Sequence, residues 1–201
     1  MNSNSNKLAI ALACTLLCST AFAQQKGTFT DTRDGKTYKT VKIGEQVWLA
    51  ENMNYNASGS KCYDNKPTNC DKYGRLYNWE TAMKACPKGW HLQNKTEWEV
   101  LSETVGGEKT AGKYLKAING WNEHNGKLGN GVDAYGFSIL PGGIGNFNGG
   151  FDYAGIYGIW WSSSEYSGDY AYYEGINNIY ENIHRHYGDK RRLYSVRCIK
   201  D

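Results

Sequence analysis

The spacing of apolar residues changes three times along the chain. From Thr28 to Tyr55, β-formers at Tyr38, Val41, Ile43 and Val47-Trp48-Leu49 are divided by Asp34-Gly35 and Gly44-Glu45-Gln46. Both dividers are hairpin signals, so this stretch reads as a β-meander. Residues 56–73 are polar and turn-rich and read as a surface loop. Helical spacing follows. Leu76, Trp79 and Met83 form one stripe, stopped after Cys86 by Pro87 and Gly89. Asn94-Lys95-Thr96-Glu97 has the cap-plus-acid pattern that opens a second helix, with Trp98, Leu101 and Val105 as its buried face and Gly106-Gly107 as its end. A shorter helical run over 110–118 ends before Gly120.

Helical spacing then disappears. Residues 142–158 are dense in glycine, which indicates irregular backbone. They do not form a phosphate loop, because no strand–glycine–helix arrangement surrounds them. The chain closes with strands over 169–174, 178–187 and 192–199, the last two joined by Gly188-Asp189-Lys190. In the last strand Tyr194, Val196 and Cys198 alternate with Ser195, Arg197 and Ile199, and the first set is expected to face inward.

A chain of 201 residues with 40% hydrophobic and 14% aromatic residues suits one packed domain. A formal charge of +3, spread evenly, argues against a nucleic-acid partner. Residues 1–23 read as a signal peptide: Lys7, then an apolar stretch from Leu8 to Leu17, then Ala21-Phe22-Ala23 in the form of a cleavage site. The expected mature domain is 24–201, exported to periplasm, surface or medium, with no further run long enough to span a membrane. Lipid attachment at Cys14 or Cys18 fits this segment less well, since Leu17 precedes Cys18 and the apolar run before Cys14 is short.

Export leaves Cys62, Cys70, Cys86 and Cys198, an even set that points to disulfides. Four cysteines allow three pairings. The turn-rich stretch between Cys62 and Cys70 favours a local bridge, which would leave Cys86 for Cys198. Their spacings do not match the paired knuckles of a zinc site.

Several stretches together resemble the Fibrobacter succinogenes major paralogous domain family. They are Asp34-Gly35-Lys36-Thr37-Tyr38, Trp48-Leu49-Ala50-Glu51-Asn52, Tyr73-Gly74-Arg75-Leu76-Tyr77 and Cys86-Pro87-Lys88-Gly89-Trp90-His91-Leu92, followed by Gly136-Phe137-Ser138-Ile139-Leu140-Pro141-Gly142-Gly143, Trp160-Trp161-Ser162-Ser163-Ser164-Glu165 and Ser195-Val196-Arg197-Cys198-Ile199-Lys200. The resemblance implies an α+β, C-type-lectin-like fold of the formylglycine-generating-enzyme type, with two helices, short antiparallel strands and much irregular loop. It implies little about activity.

The richest functional candidate is the stretch from Tyr166 to Tyr187, with tyrosines at 166, 170, 172, 173, 180 and 187 beside asparagines at 177, 178 and 182. Rigid aromatic faces with adaptable amides suit binding surfaces and stack on sugar rings. In C-type-lectin-like folds the ligand surface usually lies in this part of the chain. Trp161, Tyr170, Tyr172, Tyr173, Tyr180, Asn182, His184 and Tyr187 are the candidate ligand contacts. The competing reading is that tyrosine is simply a good strand former. His184 and His186 would share a strand face, but Glu181 falls opposite, so a polar face is the simpler reading and no metal is expected. His91 reads as a structural, hydrogen-bonding histidine.

The triplets of lectin calcium sites are absent, and no nucleophile, metalloprotease or paired-acid motif is present. The fold relatives act as oxidases through a reactive, copper-binding cysteine pair, but here the four cysteines serve better as disulfides. The sequence therefore reads as an exported, non-catalytic binding domain without cofactor, whose partner is a glycan or a cell-surface protein. The alternatives are a structural envelope component and a cryptic oxidoreductase.

Overall fold

The computed structural model describes residues 25–201. The signal-peptide reading of 1–23 and the lipidation reading of Cys14 and Cys18 lie outside these residues. Strands β1 (Lys26–Thr30), β2 (Thr37–Ile43) and β3 (Gln46–Leu49) form the expected meander. Both hairpins turn where the Asp-Gly and Gly-Glu-Gln signals stand. With β4 (Trp90–Leu92) and β10 (Cys198–Lys200) they make an antiparallel sheet of order β1-β2-β3-β10-β4. The N-terminal meander is thus closed by the last strand of the chain.

Four helices lie between the meander and the glycine-rich region: α1 (Pro67–Tyr73), α2 (Trp79–Ala82), α3 (Lys95–Thr104) and α4 (Glu108–Leu115). Helix α3 opens with a complete capping box, in which Asn94 accepts from the Glu97 amide and Glu97 accepts from the Asn94 amide. Helix α4 matches the shorter helical run.

Two expectations need correction. Residues 67–73 are helical rather than loop: Pro67 supplies a ready-made first helical φ, and Cys70 and Tyr73 bury one face three residues apart. Helix α2 is a single turn. Leu76 precedes it in a bridge to Lys61, and Met83 is exposed, so the proposed stripe is not one helical face.

The remaining strands are β5 (Ile144–Gly145), β6 (Phe151–Asp152), β7 (Tyr157–Ser167), β8 (Tyr170–Asn177) and β9 (His184–Asp189). Strands β5 and β6 pair within the glycine-rich stretch. A Cβ on Gly143 would sit 2.6 Å from the Asp152 carbonyl, at a φ of +70°, so the approach of these chains requires glycine there. Strands β7, β8 and β9 form a second antiparallel sheet. Residues 178–183 are not strand, contrary to expectation; they form a loop, and β9 runs on through Asp189.

Successive residues of a strand point to opposite faces. Trp160 and Trp161 of β7 therefore enter two different cores. Trp160 joins Trp48, Trp98, Leu101 and Phe137 beneath α3 and α4. Trp161 joins Tyr38, Leu49, Tyr77, Tyr194 and Val196. Strand β7 is the wall between the cores, and its burial on both sides hides the alternation that would have announced it. The segment 194–199 is equally enclosed. Tyr194, Val196 and Cys198 are buried as expected, but so are Ser195, Arg197 and Ile199, because core lies on both sides.

Two disulfides fasten the chain, Cys62–Cys70 and Cys86–Cys198. The second joins the segment after α2 to β10. Among the described residues no helix is long and apolar enough to cross a membrane.

Candidate functional site

Strand β8 sorts its side chains by face. Ala171 and Tyr173 point inward, where Tyr173 packs edge-on against Tyr194 at 5.2 Å. Burial pushes the Tyr173 hydroxyl pKa up. Tyr170, Tyr172 and Glu174 take the other face, opposite Asp189, Tyr187 and Arg185 of β9, the two tyrosines toward the outside and Glu174 buried. A register shift in β7 near Glu165 brings Tyr166 over the same face.

There the tyrosines gather. Tyr166 stacks on Tyr187 with centroids 4.0 Å apart and meets Tyr172 edge-on at 5.4 Å. Tyr170 meets Tyr187 edge-on at 5.8 Å. Tyr166, Tyr170 and Tyr187 are 50%, 41% and 40% exposed, high values for rings already packed on one another. The patch is bounded by Lys95 of α3, whose ammonium lies 5.7 Å from the Tyr172 ring centre. It is bounded next by Arg185, which bonds Glu174 at 2.6 Å, Glu99 of α3, and the Lys95 carbonyl. These bonds fasten α3 to the outer face. Glu174 is buried, and burial raises its carboxyl to about 7 against the pull of Arg185.

The other candidates lie elsewhere. Trp161 is fully buried and donates its indole N–H to the Tyr77 carbonyl, so it is a core residue and not a ligand contact. Tyr173 faces inward. Tyr180 is exposed, and Asn182 half-buried, on the loop past the far end of β8. That loop is held by buried Lys116, whose ammonium donates to the Asn177 and Tyr180 carbonyls. His184 shares the inner side of β9 with His186 and is half-buried against Gly175, and this burial lowers its pKa. Of the eight candidate contacts, Tyr170, Tyr172 and Tyr187 form one patch. Tyr166 completes it, signalled by its place at the head of the tyrosine-rich stretch.

His91 bonds Asp201 through Nδ1 at 2.7 Å and Glu97 through Nε2 at 2.9 Å, tying the chain end to the α3 capping box. Among the described residues no three His, Cys, Asp or Glu side chains converge as metal ligands would.

The family model of the Fibrobacter succinogenes major domain matches residues 41–200. The chain belongs to this family. The match runs from within β2 to the end of β10, so in this major domain both disulfides, the tyrosine face and nearly all of both cores, Tyr38 excepted, fall inside the family unit. Neither the curated proteins nor the solved structures hold a match to the chain.

Proposed function

We propose that this major domain is an exported, non-catalytic recognition module that holds a glycan on the outer face of β7-β8-β9. The observation that carries the reading is the grouping of Tyr166, Tyr170, Tyr172 and Tyr187 on one exposed face while Tyr173 and Tyr194 pack within. Tyrosine rings offer an apolar face with a polar edge, which matches the apolar face and hydroxyl rim of a pyranose. Around the patch the strand positions on this face are tyrosines and charged groups; the aliphatic Ile176 of the same face lies farther along β8, buried in the core with Trp160. That composition favours a sugar over the mixed aliphatic and aromatic core of a protein interface.

The two disulfides support export, since such bonds persist in oxidising compartments. With all four of these cysteines bonded to one another, copper chemistry on a free cysteine pair has no support, and the reading is non-catalytic. The closing of an N-terminal meander by the last strand, with a disulfide back to the helical region, supports a C-type-lectin-like fold of the formylglycine-generating-enzyme type. A glycan array with folded protein tests the reading, alongside a pull-down from envelope extract. A saturable glycan signal supports it. A blank array with a captured surface protein replaces the glycan by a protein partner, and two blanks leave a structural envelope component.

A further inference from the structure

A second concave site lies past the end of β9, and none of the four patch tyrosines lines it. The chain segments that build it lie side by side. They are joined by the bridges Lys61–Leu76, Tyr77–Tyr194 and Leu193–Gly145 and by the pairing of β5 with β6. A cleft of 460 Å³ opens there between the 59–65 segment and the 146–151 hairpin. This falls within the usual range of small-molecule pockets.

Both walls are held in place. The Cys62–Cys70 bridge pins the first beside Lys61, and the Tyr63 ring packs on Phe151 of the second with centroids 5.4 Å apart. In the hairpin, the Asn146 side chain donates to Asp152 at 2.6 Å and accepts from Arg192 at 3.5 Å. Phe147 stands in the hairpin's turn, with the Arg191 guanidinium carbon 4.8 Å from its ring centre. The ring is nevertheless 62% exposed, so most of it is open for a ligand to cover.

The lining is rich in donors and holds no carboxylate. Asn78 Oδ1 accepts the Thr81 amide at 2.9 Å, which leaves the Asn78 amino group without a partner among the described residues. The Asn65 side-chain amide and the Lys61 ammonium make no bond or ion pair among them either. The acids that flank the lining are engaged: Asp64 with Lys66, Glu80 with Lys84 and Asp152 with Asn146. Asp189, with a smaller pull from Asp169, neutralises Arg191. Lys61 is therefore the lining's uncompensated cation.

We propose that this cleft holds one pyranose ring of an acidic sugar, a hexuronate, at a site separate from the tyrosine face. The open Phe147 ring takes the apolar C–H face of the sugar. The amides of Asn65 and Asn78 bond its hydroxyls, and the Lys61 ammonium attracts its carboxylate. A purely aromatic acid would leave the amides unused, and a bare inorganic anion would leave the ring unused. Attraction to an exposed lysine is modest, so the preference over a neutral hexose is about threefold.

The test is an NMR titration of the full, isotope-labelled chain at constant, low ionic strength. The probes are D-glucuronate, D-glucose as the neutral sugar and acetate as a carboxylate without a ring. Saturable shifts of the Asn65 and Asn78 side-chain amides and of the Phe147 backbone amide are expected with both sugars, about threefold tighter with glucuronate, and not with acetate. Phe147→Ala, at an exposed position, should weaken glucuronate about tenfold by removing the stacking face. Lys61→Ala should bring the two sugars to equal affinity. Tyr166→Ala/Tyr170→Ala/Tyr187→Ala should leave these shifts unchanged, which separates this site from the tyrosine face whether or not that face binds. Absence of saturation by glucuronate, equal affinity for the two sugars in the unsubstituted chain, saturation by acetate, or undiminished affinity in Phe147→Ala would overturn the proposal.

Discussion

Tyr166 and Tyr187 lie face to face, with ring centroids 4.0 Å apart and planes within 1° of parallel. One ring belongs to β7 and the other to β9, so the pair spans the strand between them. The register shift in β7 makes this reach possible by turning Tyr166 over the sheet. Both rings nonetheless keep about half to two-fifths of their surface open. The stack fixes the rings in place for a ligand without withdrawing them from it.

Tyr166→Ala should accordingly cost little stability, about 1 kcal/mol, the value of an aromatic pair beyond its area. Urea unfolding measures it. A loss of about 3 kcal/mol or more, typical of core aromatics, would make Tyr166 a core residue instead.

The two disulfides should differ in weight. Cys86–Cys198 closes a sequence separation of 112 and Cys62–Cys70 one of 8. Chain-entropy reasoning assigns about 5 kcal/mol to the first and about 2.5 kcal/mol to the second. Denaturation of Cys86→Ala/Cys198→Ala and Cys62→Ala/Cys70→Ala should show the first variant clearly less stable. The reverse order would show that native contacts, not loop closure, set their value.

Stability should fall as pH rises from about 4.5 to 7. Burial raises the Glu174 carboxyl to about 7. Its contribution is thus fully present below the unfolded value near 4.3 and is lost as pH rises through about 7. His91 acts in the same sense. Burial opposes its charge, but bonds to Asp201 and Glu97 prevail and raise its pKa, so its contribution is lost as pH rises through that raised value. Its partial exposure keeps this second effect small. His184 acts oppositely: burial lowers its pKa, so its contribution is present above about 6.5 and lost only on acidification. Chemical denaturation across this range should show Glu174→Gln flatter than the unsubstituted chain. An unchanged slope would mean that Arg185 holds Glu174 ionised throughout.

Gly112→Ala should destabilise, although alanine ordinarily improves a helix interior by about 1 kcal/mol over glycine. A Cβ at this position of α4 would stand 2.7 Å from the backbone oxygens of Glu181 and Asn182. Backbone cannot yield as a side chain can, so about 1–3 kcal/mol of overpacking strain should appear in the unfolding midpoint. A gain in stability would show that the 178–183 loop is free to move off α4.

Local chemistry made parts of this fold legible. The capping box at Asn94 and Glu97 needs four adjacent residues, and the hairpin signals need two or three, so α3 and the meander could be read directly. Helix α1 was hidden because its polar residues mask the Cys70–Tyr73 face, and only Pro67 marks its start. Strand β7 was hidden by burial on both sides, which also made Trp161 resemble a surface aromatic. The tyrosine-rich stretch was visible, but which rings share a face depends on the register shift in β7 and on β9 beginning at His184 rather than at residue 178. Arg197 gave no signal at all. A cation in an alternating strand reads as solvent-facing, and only the enclosing second core buries it.

Glycan-array binding of Tyr166→Ala/Tyr170→Ala/Tyr187→Ala, measured beside the unsubstituted protein, tests the central claim most directly. The expected result is that the unsubstituted chain retains a glycan which the substituted chain, still folding cooperatively, does not. A folded parent that retains no glycan, or a substituted chain that retains it equally well, would contradict the claim.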